Sequence, residues 1–136
     1  HLSLRRQRQM CIRDSVGRQA PELLKEITHD LSTAPDGPVV LNLGNNNALR
    51  EEEIVAILEI LKGSEKVVLV NTAVPRPWAD GNNEIISEIS ARYSNVKVVD
   101  WAEISAGHPE YFAPDGVHLV PTGVAVYVEE INRYLD

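Results

Sequence analysis

The residues of this chain whose types and spacing can do chemistry gather in a few short segments. The sharpest is Asp115-Gly116-Val117-His118. An acid three residues before a histidine, across a glycine-containing turn, can hydrogen-bond the imidazole and hold it in one tautomer. The other ring nitrogen is then free to act as base toward a serine hydroxyl. The same spacing also fits a local hydrogen bond in a surface turn, so it gains weight only with partners. A second segment, Gly44-Asn45-Asn46-Asn47, follows an apolar run. Asn-rich turns are common because Asn tolerates left-handed backbone. At a strand's carboxyl end, however, an Asn side-chain amide can donate to a developing oxyanion. Arg76, within Val74-Pro75-Arg76-Pro77-Trp78, can orient a carbonyl or carboxylate, or close a loop salt bridge. Trp78 and Trp101 can stack on a sugar ring or pack in the core. His108, before Pro109, is expected to serve structure rather than catalysis, and His29 to be solvated. These histidines, with His118 and Asp115, do not have metal-ligand spacing, so neither a metal nor another cofactor is expected.

Alternating helices and strands must position these segments. Leu23, Leu24, Ile27 and Leu31 have helical spacing and predict an amphipathic helix over 19–32. Val39–Leu43 is a short apolar run suited to a buried parallel strand. Glu51, Glu52 and Glu53 open a helix at its positive dipole end, Ile54, Ile57, Leu58 and Leu61 line its face, and Gly63 is its expected cap. Lys66–Asn71 and Val96–Asp100 are two further strands. Residues 74–83 are expected as a long polar loop, with Asn82 or Asn83 capping a helix that carries Ile85, Ile86 and Ile89 and ends near Tyr93. Residues 101–119 are expected to be irregular, before a last helix through Val124, Val128, Ile131 and Leu135. Strands and helices alternating at this spacing mean an α/β fold with a parallel sheet covered on both faces. In such sheets ligands bind beyond the carboxyl ends of the strands. The loops that begin at Gly44, Asn71 and Asp100 all lie there.

The chain has 136 residues, enough for one ordinary domain and too few for two. Its hydrophobic content of 43% supports a core. No apolar run reaches the roughly 18 residues that span a bilayer. The single cysteine, Cys11, excludes an internal disulfide framework and a thiolate zinc cluster. A net charge of −7 argues against a nucleic-acid or anionic-membrane surface. The charge is unevenly spread. Residues 1–15 carry four arginines (Arg5, Arg6, Arg8, Arg13) against the single acid Asp14, net +3. Residues 16–136 carry the other 9 basic and 19 acidic residues, net −10. The string RRQRQMCIRDS resembles translated sequencing-adapter read-through, in which case residues 1–15 are not native; the other reading is a basic anchoring tail. Without an apolar stretch of about 7–15 residues, the segment is no signal peptide.

Taken together, LGNNN, VPRPW, DW, HPEYF and DGVHL occur in this order on β-α-β spacing. From Val16 to Tyr134 the chain resembles the SGNH hydrolase superfamily, and more closely the extracytoplasmic C-terminal domain of the Gram-positive-type peptidoglycan O-acetyltransferases. The segments SAGHPEYFAPDGVHL and VPRPW are the parts most specific to that group. The resemblance implies a three-layer α/β/α parallel sheet of SGNH, flavodoxin-like type. It implies that Asp115 and His118 are the catalytic acid and histidine, matching DG[VI]HL. It also implies that Gly44 and Asn46 match the Gly-x-Asn block whose Asn lines the oxyanion hole, and that Gly17, within Val16-Gly17-Arg18-Gln19, matches the V[GS]RQ segment whose backbone amide donates there. The implied reaction passes an acetyl group through a serine ester to a cell-wall sugar hydroxyl, that of N-acetylmuramic acid. The implied partners are that glycan and an upstream membrane acyltransferase domain that supplies acetyl and tethers the enzyme at the outer membrane face. The rivals are an SGNH esterase and an inactive glycan-binding fragment.

The family's nucleophile is the Ser of a Gly-Asp-Ser block. Here Asp14-Ser15 lacks the Gly, since position 13 is Arg13. Two parallel neighbouring strands need a crossover of roughly a dozen residues, yet only Val16 separates Ser15 from Gly17. If Gly17 is the second block, Ser15 is not the nucleophile. The expectation is therefore a partial domain over 16–136 that lacks its first strand. The Val39–Leu43 edge is then expected to stand unpaired and aggregation-prone, since only Met10-Cys11-Ile12 of the basic segment offers a run that could pair.

Overall fold

The computed structural model describes residues 11–14 and 37–135. Four strands form one sheet: β1 (Cys11–Asp14), β2 (Val39–Asn42), β3 (Val67–Val70) and β4 (Val96–Val99). They lie side by side in chain order, all parallel. Val39 pairs with Val67, and Val67 in turn with Val96. Every residue of β2 and β3 is buried. Such double-sided burial needs apolar residues without alternation, which is how Val-Val-Leu and Val-Val-Leu-Val are written. In β4, Lys97 is exposed, as suits an edge strand.

Side chains that alternate along each strand enter two separate cores. Val39, Leu41, Val67 and Leu69 face Ile54, Ile57 and Leu58 of helix α1 (Glu51–Ile60), and Ile86 and Ile89 of helix α2 (Ala79–Ser90). Val40, Val68, Val70 and Val99 face Trp101 of the short helix α3 (Trp101–Ser105), and Ile131 and Leu135 of helix α4 (Pro121–Leu135). The architecture is thus helix, sheet, helix in three layers. The three glutamates of the first turn open α1, and a 3-10 turn at Leu61–Gly63 closes it. The helix expected over 19–32, with His29, lies outside the described residues.

Three expectations need correction. The Val39–Leu43 edge is not unpaired: β1 lies along it, with Cys11 opposite Val39 and Asp14 opposite Asn42. Backbone N–H and C=O groups drive this pairing, and they are the same whatever side chains the segment carries. The polar loop after β3 is shorter than expected, because α2 begins at Ala79 after Trp78. Asn82 and Asn83 are therefore inside the helix and do not cap it. Asp-Gly-Asn-Asn is poor helix sequence, but here both Asn side chains find partners on other elements. Residues 101–119 also hold more order than expected. The Asp100 carboxylate accepts from the Glu103 N–H and caps α3, and a 3-10 turn forms at Pro109–Tyr111.

Candidate active site

Each described apolar strand run ends in an Asn or Asp: Asn42, Asn71 and Asp100. These residues tie the strand ends together. The Asn42 amide donates to the carbonyls of Val70 (3.2 Å) and Asn71 (3.3 Å). The Asn71 amide donates to Asp100 Oδ1 at 2.9 Å, and Asn71 Oδ1 accepts from the Ala102 N–H at 3.0 Å. Asn45 continues the chain of bonds: its amide donates to Asn42 Oδ1, and its Oδ1 accepts from the Thr72 hydroxyl at 2.5 Å. Asn42, Asn71 and Thr72 are themselves buried, so the bonds that satisfy their side chains cannot be lost cheaply.

Asp115 and His118 form a self-contained turn. Asp115 Oδ1 accepts from the backbone N–H of Val117 (2.8 Å) and of His118 (3.0 Å), while Oδ2 lies 2.5 Å from His118 Nδ1. Gly116 makes this turn possible with φ +72°, and an added Cβ there would sit 3.2 Å from Pro75 Cγ. Hydrogen bonding to His118, and then to the two backbone N–H groups, holds the Asp115 carboxyl at about 2, below its ordinary 3.8. It is therefore an anion at neutral pH and fixes the His118 proton on Nδ1, leaving Nε2 as the acceptor.

The turn is fastened to the fold behind it. Phe112 pairs with Leu119, the Ala113 N–H donates to the His118 carbonyl at 2.8 Å, and the Val120 N–H donates to the Tyr111 carbonyl at 3.0 Å. Trp101 anchors the whole segment from below. It is 3% exposed, stacks on Tyr111 at 5.9 Å and meets Tyr127 edge-on at 5.2 Å. His118 opens onto a cavity of about 370 Å³ at the carboxyl ends of the strands. Its walls include Asn42, Asn45, Val74, Trp101, Phe112 and Tyr127.

The expected site residues are distributed as follows. His118 shares its cavity with Asn45, whereas Asn46, the next residue of the same loop, is half-buried and is not among the residues lining it. Gly44 is buried at the base of the loop with φ +96°. Gly17 and Ser15 lie outside the described residues. Trp101 lines the cavity but is held by its aromatic neighbours. Trp78 and Arg76 do not line it: the Trp78 indole donates to the Asn45 carbonyl at 3.3 Å, and the exposed Arg76 guanidinium to the Pro75 carbonyl at 3.1 Å. His108 stacks on Tyr111 and pairs with Glu110 at 2.8 Å. It borders a separate groove beside Pro109 and Pro114. No cluster of three or more His, Cys, Asp or Glu that could hold a metal ion occurs among the described residues. Sequence reasoning passed over Asn42, Asn71 and Thr72. The signal for the first two was present, since each closes an apolar run with an amide.

No family model matches the chain. Over 122 residues, 89% of this chain, it is 38% identical to the peptidoglycan O-acetyltransferase OatA of Listeria monocytogenes, of which it covers 19%. Over 110 residues it is 38% identical to YrhL of Bacillus subtilis, named provisionally as a peptidoglycan O-acetyltransferase, of which it covers 17%. Its fold matches the crystal structure of TesA with a TM-score of 0.72 at 18% identity, over 87% of this chain and 72% of that one. The chain is thus a three-layer α/β domain, homologous to a segment of about one fifth of these peptidoglycan O-acetyltransferases.

Proposed function

We propose that this domain belongs to an enzyme that moves an acetyl group through a serine ester to a hydroxyl of a cell-wall sugar, N-acetylmuramic acid, on the outer face of the membrane. The observation that carries the reading is the His118–Asp115 pair, 2.5 Å apart, at the mouth of a cavity that the β2 loop also lines. The homology to peptidoglycan O-acetyltransferases supplies the acceptor class. In the mechanism, His118 Nε2 takes the proton of the serine hydroxyl as its oxygen attacks the acetyl carbonyl. Asp115 stabilises the imidazolium, whose proton then leaves with the donor's oxygen. The sugar hydroxyl next attacks the acetyl-serine, gives its proton to His118, and leaves as the acetyl ester while the serine reforms. The Gly17 N–H and the Asn46 amide stabilise the tetrahedral oxyanion. Acetyl reaches the serine from a membrane acyltransferase domain of the parent protein, which also tethers this one. No helix among the described residues is long and apolar enough to cross a membrane.

The serine itself has two readings. The spacing between Ser15 and Gly17 favours a nucleophile outside this chain. The pairing of β1 favours Ser15, because Asp14 is in register with Asn42 and Ser15 is the next residue. One experiment addresses both. The chain is given p-nitrophenyl acetate with and without a muramic-acid oligosaccharide, and product esters are identified by mass spectrometry. Turnover abolished by His118→Ala and by Ser15→Ala assigns Ser15. Turnover absent here, but present once a Gly-Asp-Ser strand precedes Val16, assigns the external serine. Acetyl passing only to water in either protein would favour the esterase, and His118→Ala without effect would refute the reading.

A further inference from the structure

We infer that Asn82, a residue of helix α2 with no place in the reaction chemistry, is a positioning residue that sets the geometry of the oxyanion loop; the inference rests on the function proposed above. Asn82 is 2% exposed. Its amide spends both donors on one loop, on the carbonyls of Gly44 (3.0 Å) and Asn47 (2.9 Å). Its Oδ1 accepts from the Leu49 N–H at 2.8 Å. Asn45 and Asn46 are the two residues between the anchored carbonyls. One lines the His118 cavity and the other is the oxyanion donor of the proposed reaction. A single side chain therefore clamps both ends of the segment that must point an amide at a developing charge.

The packing at Gly44 supports this independently. Gly44 has φ +96°, and a Cβ added there would meet Asn82 Cβ and Nδ2 at 3.3 Å and Thr72 Cγ2 at 3.4 Å. Loop and clamp are thus fitted to each other in shape as well as in hydrogen bonding. Asn83 does the corresponding service for the β3 end: its amide group accepts from the Thr72 N–H (3.0 Å) and donates to the Thr72 carbonyl (2.8 Å). Thr72 in turn holds Asn45.

The fold contains a matched control. Asn95 donates to two carbonyls in the same way, Leu61 and Ser64, both at 3.1 Å, but at the opposite end of the sheet. The test compares Asn82→Ala, the isosteric Asn82→Asp and Asn95→Ala in the whole chain. Amide hydrogen exchange is measured first, since it needs no turnover. Both Asn82 variants are expected to speed exchange in the 44–49 segment at least tenfold, with Val67–Val70 unchanged; unchanged exchange at 44–49 would overturn the inference. In whichever protein turns over p-nitrophenyl acetate, the Asn82 variants are expected to lower kcat by about 10²-fold, the effect of ångström-scale misplacement, with KM within about twofold. Asn95→Ala is expected to change neither. An equal fall for Asn95→Ala, or an unchanged kcat for Asn82→Asp, would reduce Asn82 to a stabilising residue. If neither protein turns over the ester, the proposed function fails while the exchange result still decides whether Asn82 clamps the loop.

Discussion

Gly123→Ala is expected to destabilise this protein although it improves helix propensity. Gly123 is the third residue of α4, which begins at Pro121. On propensity alone, alanine would stabilise the helix by up to about 1 kcal/mol. In the fold, however, an added Cβ would lie 2.2 Å from the Tyr111 carbonyl oxygen, 2.9 Å from its carbon and 3.0 Å from Tyr111 Cα. All three are backbone atoms, so no side chain can swing aside. The backbone must open by about 1 Å, at a typical overpacking cost of about 1–3 kcal/mol. The same carbonyl accepts from the Val120 N–H at 3.0 Å, and loss of that bond costs about 1 kcal/mol more. The net expectation is about 1–3 kcal/mol, or a Tm lower by roughly 4–12 °C for a domain of this size. Gly81→Ala is the control. Gly81 is also the third residue of its helix, and its added Cβ would meet nothing within 4 Å. It is expected to raise Tm. Circular-dichroism melts of the two variants beside the parent chain decide the matter. A Tm for Gly123→Ala equal to or above the parent's would refute the reasoning.

Asp115→Asn removes the anion opposite His118 while leaving an acceptor for the two backbone N–H groups. Nitrogen-15 shifts are expected to show His118 leaving the Nδ1–H tautomer, and turnover should fall by about 10³–10⁴-fold; an unchanged tautomer would contradict the assigned role. The pH dependence has a defined sign. Because the folded-state value of Asp115 is about 2, below its ordinary 3.8, its contribution to stability is present above pH 3.8 and is lost as pH falls toward 2. Asp115→Asn should lower the denaturant midpoint at neutral pH and remove that part of its fall between pH 3.8 and 2. Gly116→Ala, which forces φ +72° on a side chain and presses on Pro75, should loosen the same turn and speed exchange of the Val117 and His118 amides. Removing residues 1–14 strips β1 from β2 and should increase self-association in light scattering; an unchanged monomer would mean that this pairing protects nothing.

Unlike β1 and α3, strands β2, β3 and β4, helices α1, α2 and α4 and the Asp115–His118 turn were legible in the amino-acid sequence. Their determinants are local: continuous apolar runs for strands buried on both sides, helical spacing for the amphipathic helices, and a four-residue turn whose hydrogen bonds all close within the turn. Tertiary structure decided the rest. Asn82 looks like a cap in sequence and is a clamp in space, because its partners lie 33 to 38 residues away. Asn45 and Asn46 are the same residue type in the same loop, and only the positions of β3 and the His118 turn bring Asn45 to the cavity wall. Trp101 has the composition of a sugar platform and the burial of a core residue. Gly81 and Gly123 hold the same position in their helices, and the chain 12 residues before Gly123 makes one open to a methyl group and the other closed. The division has one physical cause. Periodicity and turn chemistry act between neighbours along the chain and are written there, whereas a hydrogen-bond partner or a steric limit supplied by a distant segment exists only once the elements have packed.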